Sequence, residues 1–346
     1  MSEQGLRDIM SGRRRGAAAS AWRASAWAAS GPYALMMGLR RRMYRRGVFG
    51  SRAVGAPVIS VGNLTTGGTG KTPMVAWLVG QLKKAGRDPA ILTRGYKARA
   101  GRADEAEMLF KQTGVPVIVN SDRVSGGLSA VEAGADVLVM DDGFQHRRLK
   151  RDLDIVLIDA TNPLGYGHVL PRGMLRERPS ALRDADVIVI TRCDLVGAGE
   201  LEVLRDRLGR LARRAEICLA GHVPTAVIAP AGRRAPASAL AGKKVLAFCG
   251  IGNPDAFFET VARSGAEVVG RIAFDDHAAY GPPAAEKIAS AAGEGGAEIL
   301  VTTAKDRVKI EDPAALGAPL WTLEVAIGLT EGEGLLIERV KKVLSP

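Results

Sequence analysis

A chain of 346 residues, 47% hydrophobic and 25% charged, can fill one large core or two ordinary ones, which excludes a disordered protein. The net charge is +11, but residues 1–52 hold eleven Arg against only Glu3 and Asp8 and so carry nine of those charges; the near-neutral remainder excludes a protein-wide nucleic-acid surface. Cys193, Cys218 and Cys249 stand far apart and the four histidines, at 146, 168, 222 and 277, lack metal-ligand spacing, so neither a disulfide framework nor a zinc site is expected and a reducing cytosol is the natural compartment.

The N-terminal stretch from Gly16 to Leu39 is apolar and rich in Ala, but Arg23 and Pro32 interrupt it. An Arg in mid-span costs about 2.5–3.5 kcal/mol on insertion scales, so the segment is expected to lie in a membrane interface rather than to cross it. Leu35, Met36, Leu39 and Met43 recur at helical spacing, while Arg41, Arg42, Arg45 and Arg46 crowd the remaining surface and Trp22, Trp27 and Tyr33 are placed at headgroup depth. The partner this predicts is an anionic membrane surface; the alternative is a helix packed on the domain with a solvated basic face.

Residues 57–62 form a β-rich run, followed by T-T-G-G-T-G-K-T from Thr65 to Thr72 and a helical stretch over 71–85. Strand, Gly-rich loop and helix are the context a phosphate loop requires. The predicted nucleotide contacts are Thr65, Thr66, Gly67, Gly68, Thr69, Gly70, Lys71 and Thr72, with Lys71 reaching the β/γ-phosphates of ATP and Thr72 ligating Mg2+. The strict motif has Gly where this chain has Thr65.

Strand-like runs follow at 89–93, 115–119, 136–140, 154–159 and 186–191, alternating with helical stretches such as 123–133 and 199–213, the pattern of a wound α/β sheet. The run 136–140 ends in Asp141-Asp142, where a parallel sheet presents acidic residues to a nucleotide. Neighbouring carboxylates on a strand point to opposite sides, so one of the pair is expected on Mg2+ and the other on substrate or basic groups. The stretch Asp141 to Arg148 adds Gln145, His146 and two Arg that can clamp an anionic substrate.

Between Gly221 and Gly242 the pattern weakens, apart from a β-like piece at 225–228, and the interdomain connection is placed there. A second, smaller unit over 243–346 begins with a strand at 244–249, a turn at Gly250-Ile-Gly-Asn-Pro254 and a helix capped by Asn253. Strands near 267–273, 298–302 and 319–325 and a final amphipathic helix over about 331–344 complete it. The fold class is α/β: two α/β/α lobes, the larger N-terminal one (53–220) a P-loop lobe with a mostly parallel sheet.

The ordered set V-G-N-L-T-T-G-G-T-G-K-T-P (61–73), R-G-Y (94–96), D-D-G-F-Q-H (141–146), L-P-R-G-M-L-R-E (170–177), T-R-C-D (191–194), F-D-D-H-A-A-Y (274–280) and T-A-K-D (303–306) resembles the tetraacyldisaccharide 4'-kinases over nearly the whole chain. The resemblance implies transfer of the γ-phosphoryl group of ATP to the 4'-hydroxyl of a tetraacylated glucosamine disaccharide 1-phosphate, a step of lipopolysaccharide assembly that forms lipid IVA, at the cytoplasmic face of the inner membrane. It implies Asp104 and His277 as the pair acting on the attacking hydroxyl, the first accepting its proton and the second tuning it, with a cleft between the lobes that closes to assemble them. Arg123, Arg172 and Arg176 are implied as grips on substrate or nucleotide phosphates and Glu177 as an aid to the metal. No obligate protein partner is indicated. A rival reading, a P-loop GTPase or nucleotide-driven chaperone, rests on Thr191-Arg-Cys-Asp194, which is similar to a guanine-reading motif with Arg for Lys; a non-enzymatic membrane scaffold is opposed by the intact Lys71-Thr72.

Overall fold

The structure, a computed structural model, describes residues 3–94, 104–275 and 278–345, with the side chains of residues 3, 4, 104 and 105 excepted. The chain divides into two units, one of residues up to Gly221 together with those from Leu329 onward, the other His222–Gly328.

In the first unit helices α1 (Glu3–Ser11) and α2 (Ala17–Arg45) precede β1 (Val58–Asn63), α3 (Lys71–Lys84), β2 (Pro89–Thr93), α4 (Asp104–Thr113), β3 (Val117–Val119), α5 (Arg123–Glu132), β4 (Val137–Asp141), β5 (Leu153–Asp159), β6 (Val187–Thr191), α6 (Ala198–Leu211) and the start of β7 (Glu216–Ile228). The strands are all parallel, in the order β7-β6-β5-β1-β4-β2-β3. Every residue of β1, β2, β4, β5 and β6 is buried, because helices cover both faces, and this is why they read in the sequence as continuous apolar runs. One face packs Leu64, Phe144, Val156, Ile188 and Leu208 against Ala34 of α2; the other gathers Val58, Leu92, Leu138 and Met140 with Val124 of α5. The chain leaves β1 toward β2 on one side and returns through β4 to β5 on the other. The carboxyl end of β1 is therefore a switch point, where such sheets bind ligands.

Helix α2 runs unbroken through Arg23 and Pro32, which interrupt the apolar stretch in the sequence; Pro32 lies on its exposed side beside exposed Ala28, the residue whose carbonyl loses its helical partner. Its inner face is small: Ala19, Ala26, Ser30 and Ala34 are buried. Its outer face carries Trp27, Leu35, Met36 and Leu39, each more than half exposed, followed by exposed Arg42 and Arg45. Two residues depart from the expected arrangement. Tyr33, expected at headgroup depth, turns inward and donates to the Arg176 carbonyl at 2.9 Å, and Arg41, expected on the basic surface, pairs with Asp184 through two nitrogens at 2.7 and 2.9 Å. No helix among the described residues is long and apolar enough to cross a membrane.

The second unit contains the end of β7, β8 (Arg234–Pro236), β9 (Lys244–Cys249), α7 (Pro254–Arg263), β10 (Glu267–Ala273), α8 (Pro282–Gly295), β11 (Ile299–Thr303), α9 (Ala304–Arg307) and most of β12 (Leu320–Glu331). Its parallel strands run β10-β9-β11-β12, and the end of β7 pairs antiparallel with β8. The Asn253 side chain caps α7 by accepting from the Ala256 N–H, with Pro254 at the first turn. The last helix, α10 (Glu333–Leu344), belongs to the first unit rather than the second. Arg87 donates to the Leu344 carbonyl at 2.6 Å and Arg339 pairs with Glu216 at 3.0 Å, which a linear reading of the C-terminal lobe does not foresee. Strand β7 begins nine residues before the β-like piece at 225–228 because Gly221 and Pro224 read as breakers; Pro224 falls between the residues paired with β6 and those paired with β8.

Candidate active site

Strand β1 delivers the chain to the loop Leu64–Gly70 and α3 takes it away. Gly62 has no room for a side chain, since a Cβ there would stand 2.6 Å from the Phe144 Cβ; the segment after β4 crosses directly over the end of β1. Gly70 caps α3 with a left-handed backbone (φ 89°), a conformation glycine adopts without cost. Thr65, the departure from the strict motif, needs no such freedom: it is not among the residues with positive φ, and it forms a β-bridge with Leu175.

The carbonyls of the loop are tied outward by its surroundings. Leu64 O accepts from the Arg176 N–H at 2.7 Å, Gly68 O from Arg192 Nη2 at 2.8 Å and Thr69 O from Thr191 Oγ1 at 3.0 Å. Asn63 Nδ2 donates to Thr69 Oγ1 at 2.9 Å, and the Thr66 N–H to Met174 O at 2.8 Å. Three carbonyls are thus tied back, the Thr66 and Thr69 N–H groups are spent on Met174 O and Gly67 O, and the loop leads straight into the N-terminus of α3, the end of a helix that attracts an anion.

Lys71 Nζ lies 3.5 Å from Asp142 Oδ1, and Arg176 Nη1 donates to both oxygens of the same carboxylate at 2.9 and 2.7 Å. Burial alone would raise the Asp142 pKa, but Lys71 and Arg176 outweigh it and hold the carboxyl below its ordinary value. Asp142 sits at φ 54°, a left-handed backbone uncommon outside glycine, so the residue is turned away from the strand direction that Asp141 still follows. Asp141 ends β4 in register with Val61 of β1, and Thr72 stands in the first turn of α3. Gln145 bridges the two sides: its Nε2 donates to Asn63 O at 2.9 Å and its Oε1 faces Arg176 Nη1 at 3.4 Å.

The remaining expected residues fall into three groups. Arg123 is buried, donates to Asn120 O at 2.6 Å and feels both Asp141 and Asp142, whose charges oppose the lowering of its pKa by burial. Arg172 and Glu177 are committed elsewhere: Arg172 Nη1 donates to Met10 O at 2.8 Å, and Glu177, whose pKa burial pushes up, accepts from Arg147 Nη2 at 3.1 Å. The side chain of Asp104, at the start of α4, and the whole of His277 lie outside the described residues.

Two motifs acquire roles that sequence reasoning missed. In T-R-C-D, Arg192 turns inward with φ 56°, pairing with Asp159 while it holds Gly68 O, so it braces the phosphate loop instead of reading a base. In T-A-K-D, Asp306 is fully buried and accepts from the Gly250 N–H at 3.0 Å, Thr303 Oγ1 at 2.7 Å and Lys309 Nζ at 3.2 Å. The Tyr280 hydroxyl packs against it; burial and then the Asp306 charge raise the tyrosine's pKa. T-A-K-D thus fixes the turn after β9 and the end of F-D-D-H-A-A-Y. The signal available for Arg192 was its place at the carboxyl end of a strand two removed from β1.

His146 carries a prediction about pH. Burial, then the Arg123 charge, lowers its pKa from 6.5 to about 4. Between these values the unfolded chain binds the proton and the folded chain does not, so stability from this residue is complete above pH 6.5 and is lost as pH falls toward 4. In His146→Gln the decline in Tm across that window should be shallower than in wild type; an equally steep decline contradicts the assignment.

A loop with its carbonyls tied back, opening toward a lysine that waits on a strand-end carboxylate, handles nucleotide phosphates, and the first unit is by this geometry a P-loop domain built for phosphoryl transfer. Comparison with known proteins narrows the class. The profile of the family described as tetraacyldisaccharide-1-P 4'-kinase matches residues 22–345, and the chain belongs to that family. It is 40% identical to a tetraacyldisaccharide 4'-kinase of Geobacter metallireducens over 81% of this chain and 86% of the relative, and 40% identical to one of Syntrophus aciditrophicus over 88% and 89%. The crystal structure of LpxK from Aquifex aeolicus in complex with ATP is similar with a TM-score of 0.72 and 28% identity, covering 94% of this chain and 100% of that one. The chain is accordingly a kinase of lipid A biosynthesis that phosphorylates the 4'-hydroxyl of tetraacyldisaccharide 1-phosphate in an ATP-dependent reaction. Membership does not favour the alternative of a P-loop GTPase or nucleotide-driven chaperone.

Proposed function

We propose that the reaction runs on Mg-ATP at the cytoplasmic face of the inner membrane, with the outer face of α2 laid on acidic lipid. The observation that carries the catalytic part is the Lys71–Asp142 pair at 3.5 Å beside the phosphate loop. An arriving nucleotide offers Lys71 phosphate oxygens in place of the carboxylate, and Arg176 remains to keep Asp142 ionised. Mg2+ binds through one or two carboxylates together with phosphate oxygens and water rather than in a protein cage. Thr72 and Asp141 fit that pattern, since they are oxygen donors flanking the loop from α3 and β4. When bound, the ion supplies charge neutralisation on the phosphates. Glu177 stays with Arg147.

Asp104 accepts the proton of the 4'-hydroxyl and His277 tunes it, as their motifs in the family imply. The surface reading rests on Trp27, Leu35, Met36 and Leu39, exposed along one helix whose last turns are basic. An enzyme acting on a four-chain lipid has to meet its substrate at an interface, and this face supplies both apolar contact and attraction to anionic headgroups.

Labelled γ-phosphate from Mg-ATP should pass to tetraacyldisaccharide 1-phosphate in mixed micelles. Folded protein that binds ATP yet labels no lipid overturns the reading.

A further inference from the structure

The inner face of α2 grips, from behind, the same residues that shape the nucleotide site. Tyr33 donates its hydroxyl proton to the carbonyl of Arg176 at 2.9 Å, and Arg40 Nη1 donates to the carbonyl of Gln145 at 3.1 Å. The side chains of those two residues meet each other and act on the site: Arg176 on Asp142, Gln145 on the carbonyl of Asn63 at the end of β1. The Arg176 N–H is spent on Leu64 O in the phosphate loop, so this one peptide is fixed by the loop on one side and by α2 on the other. The clamp extends along the segment: Ser30 Oγ, whose single proton is shared between Ala26 O at 2.9 Å and Val169 O at 3.0 Å, accepts from the Arg172 N–H at 3.2 Å, while Met174 O receives the Thr66 N–H.

We propose that Tyr33 and Arg40 are positioning residues for phosphoryl transfer, holding Arg176 and Gln145 in the places from which they orient Asp142 and the phosphate loop. Helix α2 is then part of the catalytic scaffold on one face and, by the reading above, a lipid-docking surface on the other. The two faces use different residues: no outward apolar side chain of the stripe takes part in the hydrogen bonds just named. A helix serving only for docking would need a buried face that packs, and alanines supply that. It would not need directed hydrogen bonds to the carbonyls of two site residues that are 31 positions apart in sequence.

The inference rests on the kinase reading for its assay, and the wild-type transfer reaction separates the two: if wild type labels lipid, the kinase reading stands whatever the variants do. In Tyr33→Phe one neutral hydrogen bond is lost while the ring remains, and kcat should fall about three- to tenfold. In Arg40→Ala a charged donor is lost and the fall should be about tenfold or more, with Arg40→Lys recovering part of it. Binding to vesicles containing acidic phospholipid and the apparent KM for lipid should stay within about twofold of wild type in both. The outward variant Leu35→Ser/Leu39→Ser should show the reverse split, weaker vesicle binding and a raised apparent KM with kcat retained. Equilibrium affinity for ATP, measured without lipid on wild type and all four variants, reports whether the loop is intact. Unchanged kcat in Tyr33→Phe and Arg40→Ala, or a loss that appears only in vesicle binding and KM, overturns the proposal. So does a Tm drop that accounts for the lost activity and that Arg40→Lys does not reverse.

Discussion

Replacing Lys71 with Met should lower kcat for lipid phosphorylation about 10²–10³-fold, the loss seen when one preorganised charge-stabilising group is removed. Met keeps much of the apolar stem and removes the ammonium, so the change is electrostatic more than steric. The loop should survive it, because the bonds that set its shape come from Asn63, Thr191, Arg192 and the 174–176 segment rather than from Lys71. Asp142 should survive as well. It loses the cation that lowers its pKa most but keeps the nearer one, Arg176, on both oxygens, so its pKa should rise toward the ordinary carboxylate value without the residue losing its place. The expected signature is therefore a protein with near-normal Tm and a collapsed single-turnover rate. Activity within tenfold of wild type would mean that the developing phosphate charge is stabilised by another group, and Arg176 would be the first to test.

What the sequence disclosed and what it withheld follow from how far apart the interacting residues lie. The phosphate loop and the Asp141-Asp142 pair are contiguous motifs set at strand ends, and the buried parallel strands reveal themselves as unbroken apolar runs, so the P-loop lobe was legible almost to its element boundaries. The roles of Tyr33 and Arg41 were not. Each is an amphipathic residue on a basic, apolar helix, and only the position of a partner 143 residues away decides that it faces inward. Arg192 was misleading for a similar reason. Its motif suggested base recognition, but the left-handed backbone that folds it back under Gly68, and the Asp159 that receives it, are properties of neighbouring strands and not of the motif. The return of α10 to the first unit is of the same kind, since an amphipathic helix carries no mark of which core it will cover. The site itself was read as a set of residue types, and the structure sorts that set. Lys71, Asp142, Arg176 and Gln145 are brought together, and Arg172 and Glu177 are drawn off to Met10 and Arg147.

The second large effect is expected at Asp104. If its carboxylate accepts the proton of the sugar hydroxyl, Asp104→Asn should cut kcat by about 10²–10⁴-fold, the usual contribution of a positioned general base. Its place at the first residue of α4 offers a competing explanation, because an acidic residue in a first helical turn stabilises the helix by about 0.3–1 kcal/mol through the dipole. The two accounts separate cleanly. A dipole role predicts a small loss of Tm and a rate scarcely changed, while a base predicts the opposite. The amide is nearly isosteric with the carboxylate, so the fold should tolerate it. The KM for ATP should also hold, since the loop that binds phosphate is braced independently of α4. Glu105→Gln serves as the neighbouring control, sharing the dipole effect but not the assigned chemistry. In the pH profile of wild-type kcat, the acidic limb should mark protonation of the base; in Asp104→Asn that limb should vanish with the rate, and His277→Ala should move it without abolishing turnover. A rate lost equally in Glu105→Gln, or an acidic limb that persists unaltered in Asp104→Asn, would remove Asp104 from the role of base and leave positioning and charge stabilisation by Lys71 to account for the chemistry.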